Sequence, residues 1–143
     1  MTSPVGAQTD RGTFTLAGET YPFSVLSCNT ETDLSSRTAY TLYGRGKTGA
    51  SDNFEIFVTR KNVDGIISHG VTVRLTGTSG ERMISRAARS HVSDAWVDGV
   101  GDPAAGPLVH IDGGRISAQG TFRDEHNEVL GTGVLEATCS PGS

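Results

Sequence analysis

No apolar stretch in this 143-residue chain approaches the roughly 20 residues that a membrane-spanning helix needs. Its first ten residues, from Met1 to Asp10, lack a basic region followed by an apolar run, so no signal peptide is expected there. A dominant charge is missing as well. Twelve Lys and Arg against sixteen Asp and Glu leave a formal net charge of −4, which offers no case for nucleic acid or an anionic membrane as partner. Cysteine is scarce, with only Cys28 and Cys139. No linker or internal repeat divides the chain, and no segment is unambiguously helical.

The missing motifs exclude several chemistries. Gly44-Arg45-Gly46-Lys47-Thr48 suggests a phosphate loop, but Thr41 stands where that loop needs its first glycine. No helical pattern follows to present an N-terminus to phosphate, so 44–46 reads as a strand-end turn. His69, His91, His110 and His126 are scattered without zinc-motif spacing, and read as hydrogen-bonded or surface residues. Ser68, Ser85 and Ser117 lack the flanking glycines of a nucleophile elbow. Glu55 and Glu136 fall on the polar parity of their strands and are expected on solvent faces. Asp94, Asp98 and Asp102, near His91, do not follow calcium-loop spacing and read as solvated loop acids.

What is present is a β pattern. Nineteen glycines accompany abundant Ser and Thr, a composition of many turns and short strands. Strands are expected over 13–16, 21–28, 39–43, 108–111 and 115–122. Phe54, Ile56 and Val58 alternate with Glu55, Phe57 and Thr59, and Val71, Val73 and Leu75 with Thr72, Arg74 and Thr76. Tyr21, Phe23 and Val25 share one parity, and Leu26 and Cys28 the other, which calls for a bulge near Val25. Asp64-Gly65 and Asp112-Gly113-Gly114 mark hairpin turns. Segment 81–96 fits either a helix or a returning strand, and its β neighbours favour the strand. Arg82, Arg86 and Arg89 then dot a strand and loop as solvated cations. Trp96, the sole tryptophan, reads as a core plug, with a ligand cleft as the alternative. The fold class is all-β: an antiparallel sandwich or barrel of about eight short strands. One domain spans 13–140 after a flexible segment, 1–12.

Each cysteine closes a strand, in Tyr21-Pro22-Phe23-Ser24-Val25-Leu26-Ser27-Cys28 and in Gly133-Val134-Leu135-Glu136-Ala137-Thr138-Cys139. One long-range disulfide and an oxidising compartment follow; two reduced, buried thiols in a cytosolic protein are the other reading. These two segments, with Gly113–Phe122 and Phe54–Val58, resemble the small exported actinobacterial lipoproteins of the LpqH-type antigen class. That resemblance implies a β-rich domain on the cell envelope or secreted, acting by binding or display without catalysis. It implies membrane attachment only through a lipid anchor, expected on a cysteine outside these 143 residues, and no cofactor or metal. The expected partner is an envelope component, a host receptor or a small apolar ligand. Its contacts are expected on the loops 29–37 and 94–107, at Asn29, Arg37, Asp94, Trp96, Asp98 and Asp102. A lipocalin-like carrier, with room left by inward Gly120 and Ala118, is the alternative, and a hydrolase with a dispersed active site is a third reading.

Overall fold

The computed structural model describes residues 10–30, 38–48, 51–77 and 79–139. Ten strands form among them: β1 (Arg11–Leu16), β2 (Glu19–Cys28), β3 (Thr38–Thr48), β4 (Ser51–Val63), β5 (Ile66–Thr76), β6 (Arg82–Val92), β7 (Ala95–Asp98), β8 (Val109–Asp112), β9 (Arg115–Arg123) and β10 (Val129–Thr138). They pair in the order β7-β6-β5-β4-β3-β2-β1-β10-β9-β8, all antiparallel. A further contact, Arg86 opposite Arg123, joins β6 to β9. It closes β1–β6, β9 and β10 into an eight-stranded barrel, with β7 and β8 hooked onto the two sides of the seam. Of the two expected architectures the barrel is the one formed.

The tight hairpins follow from their turn residues. Ala17-Gly18 and Asp64-Gly65 both hold positive φ at the two central positions, 54° and 84° in the first and 54° and 83° in the second. That geometry matches the twist of the flanking strands. The bulge expected near Val25 is present, as a register shift between Val25 and Ser27 against β3. Segment 81–96 takes the strand form, as β6, a turn at Ser93-Asp94 and the start of β7.

Alternation sends Phe54, Ile56 and Val58 of β4, Val71 and Val73 of β5, and Ile116, Ala118 and Phe122 of β9 inward. Four phenylalanines, Phe14, Phe23, Phe54 and Phe122, occupy the inside, with Phe14 and Phe122 edge to face at 5.0 Å. Inward glycines make room for them. A Cβ at Gly12 or Gly44 would approach the Phe23 ring closer than 3.0 Å, and one at Gly133 would meet Phe122. Leu108, from the segment between β7 and β8, covers Gly120 in the same way. The room expected at Gly120 is therefore filled.

Two local expectations are corrected. Gly44-Arg45-Gly46 is no turn: it lies inside β3, opposite Phe23-Ser24-Val25 on one side and Phe54-Glu55-Ile56 on the other. These glycines serve packing instead of chain reversal: Gly44 accommodates the Phe23 ring across the strand pair. The second correction is to the expected contact loop 94–107, of which Ala95–Asp98 form the strand β7. Its outer edge is satisfied by its own following loop, Asp98 N to Asp102 O at 2.8 Å and Ala104 N to Trp96 O at 2.9 Å. That cover blunts a sheet edge.

The expected disulfide is formed. Cys28 and Cys139 are bridged with a Cα–Cα separation of 5.9 Å, and no free cysteine occurs among the described residues. No helix among the described residues is long and apolar enough to cross a membrane.

Candidate binding site

Of the loop residues expected to make contacts, Arg37 lies outside the described residues, as does all of 31–37. Asn29 is committed to the framework: its N–H donates to Thr41 O at 2.9 Å and its carbonyl accepts from the buried Arg60 guanidinium at 3.2 Å. Asp98 folds its own loop, its Oδ1 accepting the N–H groups of Val100 at 3.0 Å and Asp102 at 2.9 Å. Asp94 is exposed in the β6–β7 turn. Among the described residues no group of three His, Cys, Asp or Glu is placed to hold a metal.

Trp96 is no core plug. It is half-buried and lies outside the buried cluster, its ring 5.1 Å from His69 and 5.2 Å from His91. The sequence separates these histidines by 22 residues, and only the β5–β6 register, with Ile67 opposite His91 and His69 opposite Arg89, brings them together. His69 Nδ1 accepts the Val109 N–H at 3.1 Å. Burial, then the charges of Arg60 and His110, push the His69 pKa down to about 4. The imidazole is therefore neutral at pH 7, as its acceptor role requires. The unfolded chain binds this proton near pH 6.5, so stability is full above that value and falls as pH drops toward about 4. A loss on the order of 1–2 kcal/mol, allowing for partial solvent access, is expected across that window. Thermal melts at pH 7, 6, 5 and 4.5 test this, and His69→Asn, which keeps an acceptor near the Nδ1 position, should flatten the curve. An equally steep curve in the variant would remove His69 as its origin.

The glutamates face outward, as expected. Glu55 accepts from Tyr43 Oη at 2.8 Å and pairs with Arg74 at 2.8 Å; burial opposes its ionisation, but those partners and the Arg45 charge together hold its carboxyl below the usual range. Glu136 is 3.9 Å from Arg115, and both are well exposed. Ser68 Oγ lies 3.2 Å from Ser90 Oγ, and Ser85 is buried on the inner face of β6. Arg82 and Arg86 are exposed, but Arg89 has the opposite parity. It reaches across the seam to donate to Gly106 O at 2.9 Å and Gln119 O at 3.2 Å.

The surface that sequence reasoning missed is an apolar hollow at one end of the barrel. There the β1–β2 turn, the start of β6 and the β9–β10 turn converge around a volume of about 370 Å³. Its floor is Tyr21, stacked on Phe54 at 5.2 Å with an interplanar angle of 8°. Leu16, Leu75 and Met83 form its walls, and Leu130 stands at the rim. Met83 is 64% exposed and Leu130 40%. Burial, with the Glu19 charge beside it, raises the Tyr21 pKa, so the floor presents a neutral phenol. Glu19, Asp124 and Glu125 border the hollow alongside Arg82 and His126. The inward parity of Leu16, Tyr21 and Leu75 was readable; that the three meet at one hollow, with Tyr21 opposite Phe14 and Leu75 opposite Phe54, was not. Comparisons of the chain with protein-family models, with curated proteins and with solved structures gave no match.

Proposed function

We propose that this chain is an exported cell-envelope domain that acts by binding, taking an apolar group of its partner at the Tyr21 hollow. The observation that carries the reading is an open apolar mouth above a filled barrel. Wide, mostly apolar concavities bordered by a few polar groups are the usual form of a small-ligand site. Here the phenylalanines occupy the space in which a lipocalin-like carrier would enclose its cargo. A bound chain therefore inserts its end against Tyr21 and leaves the rest outside. The Cys28–Cys139 bridge supports export, because such bonds persist in oxidising compartments. The likeness to LpqH-type antigens, carried by one early and one late strand cysteine, supports an envelope location.

The test is a two-dimensional amide NMR titration with octyl glucoside, a neutral single-chain amphiphile, below its micelle concentration. Shifts are expected around Leu16, Tyr21, Leu75 and Met83. Met83→Glu should weaken binding at least tenfold, roughly the loss of one buried apolar side chain. Shifts scattered over the barrel, or an affinity indifferent to Met83→Glu, would remove the hollow as the contact site.

A further inference from the structure

The outer face of β9-β10-β1-β2-β3 carries a row of residues that no local sequence pattern shows. Register places Arg115 opposite Thr138, Arg11 opposite Ser24, and Ser24 opposite Arg45. Thr138 also meets Arg11, its Oγ1 accepting the Arg11 N–H at 3.3 Å. Across five strands the row reads cation, hydroxyl, cation, hydroxyl, cation. Neighbouring strands are about 4.8 Å apart, so the guanidinium-bearing positions recur every ~10 Å. The row lies in an open trough of about 900 Å³ that shares no lining residue with the Tyr21 hollow. Pro22 and Lys47 line it too.

Charge here runs against that of the whole chain. Four Lys or Arg line the trough against one carboxylate, Glu136, in a protein of net charge −4. Glu136 lies on β10, and Asp10, just before β1, accepts the Val25 N–H at its carbonyl and meets Thr138 Oγ1 at 3.5 Å with its carboxylate. Among the described residues Arg11 and Arg45 form no ion pair within 4.0 Å; Glu55, opposite Arg45 on β4, is bonded to Arg74 and also feels the Arg45 charge. The β1–β3 half is the more positive.

We propose that this trough binds a linear acidic polysaccharide laid across the strands, with carboxylates on the arginines and sugar hydroxyls on Ser24 and Thr138. Spacing selects this partner. A nucleic-acid strand carries a charge about every 3.4 Å, far denser than a row of cations ~10 Å apart with neutral hydroxyls between. A polymer with one carboxylate in every second sugar matches the alternation. A concave trough also fits a chain better than the flat surface of a bilayer.

The experiment is calorimetric titration at low ionic strength with hyaluronate oligomers, in which uronate alternates with a neutral amino sugar. Binding is expected to weaken at least tenfold in Arg11→Ala/Arg45→Ala, to weaken with added salt, and to be unchanged in Lys61→Ala on β4. Both arginines are exposed, so an unchanged melting temperature checks that the double variant is folded; Arg11→Gln/Arg45→Gln replaces it otherwise. No binding to hyaluronate, or binding indifferent to both arginines, overturns the proposal. Tighter arginine-dependent binding to oligothymidylate or to phosphatidylglycerol vesicles overturns it in favour of those partners.

Discussion

Removing the Cys28–Cys139 bridge is expected to lower the melting temperature by roughly 15–20 °C. The bridge joins residues 111 apart, so opening it returns nearly the whole chain to the conformational freedom of the unfolded state. Chain-entropy arguments put the loss at about 5 kcal/mol for a loop of this length, close to the lower end of the net stability of a small domain. Topology adds a local reason. β2 and β10 are not neighbours: β1 lies between them, paired to both. The bridge thus clasps the two strands that hold β1 in place, beside the Cys139 N–H to Gly114 O bond of 2.7 Å. Cys139 is buried, so Cys28→Ala/Cys139→Ala is the appropriate variant. Its melt should match that of the reduced wild-type protein and should not respond to reductant. A drop of less than about 3 °C would show that the clasp contributes little.

Phe23→Ala is expected to destabilise the barrel by about 3–5 kcal/mol, as measured by urea unfolding. The Phe23 ring is buried, 5.9 Å from Phe54, and is set between Gly12 and Gly44 on the two adjoining strands. With no side chain at either glycine, nothing nearby can swing in to fill the space. The reciprocal change gives the sharper test. Gly44→Ala places a methyl group where the ring lies and should cost about 1–3 kcal/mol through overpacking. Combined with Phe23→Leu, which shortens the intruding side chain, that cost should shrink. The coupling between the two sites is expected to exceed about 1 kcal/mol. Strict additivity would mean that Gly44 is there for its backbone and not for the notch.

Much of the barrel was legible because alternation is local. Val71, Val73 and Leu75 announce their face without reference to any other strand, and the changed parity after Val25 announces a bulge. Asp64-Gly65 and Asp112-Gly113 announce turns. Gly44-Arg45-Gly46 failed for an instructive reason: glycine serves chain reversal and close packing equally well, and only the strand opposite distinguishes them. Trp96 failed for another. A lone tryptophan has no parity partner in a four-residue strand, and its neighbours, His69 and His91, come from β5 and β6. The Tyr21 hollow and the arginine row were hidden in the same way, since each gathers residues from strands distant in sequence.

The chain by itself determined an all-β domain, the positions of most strands and turns, and the pair of thiols available for a bridge, because hydrophobic period and turn chemistry act over a few residues. Tertiary structure decided that the sheet closes at Arg86 and Arg123, that phenylalanines fill the interior, and that cations from β1, β3 and β9 fall into one line. Those outcomes depend on register between strands, and register is set by which side chains interlock across the whole barrel.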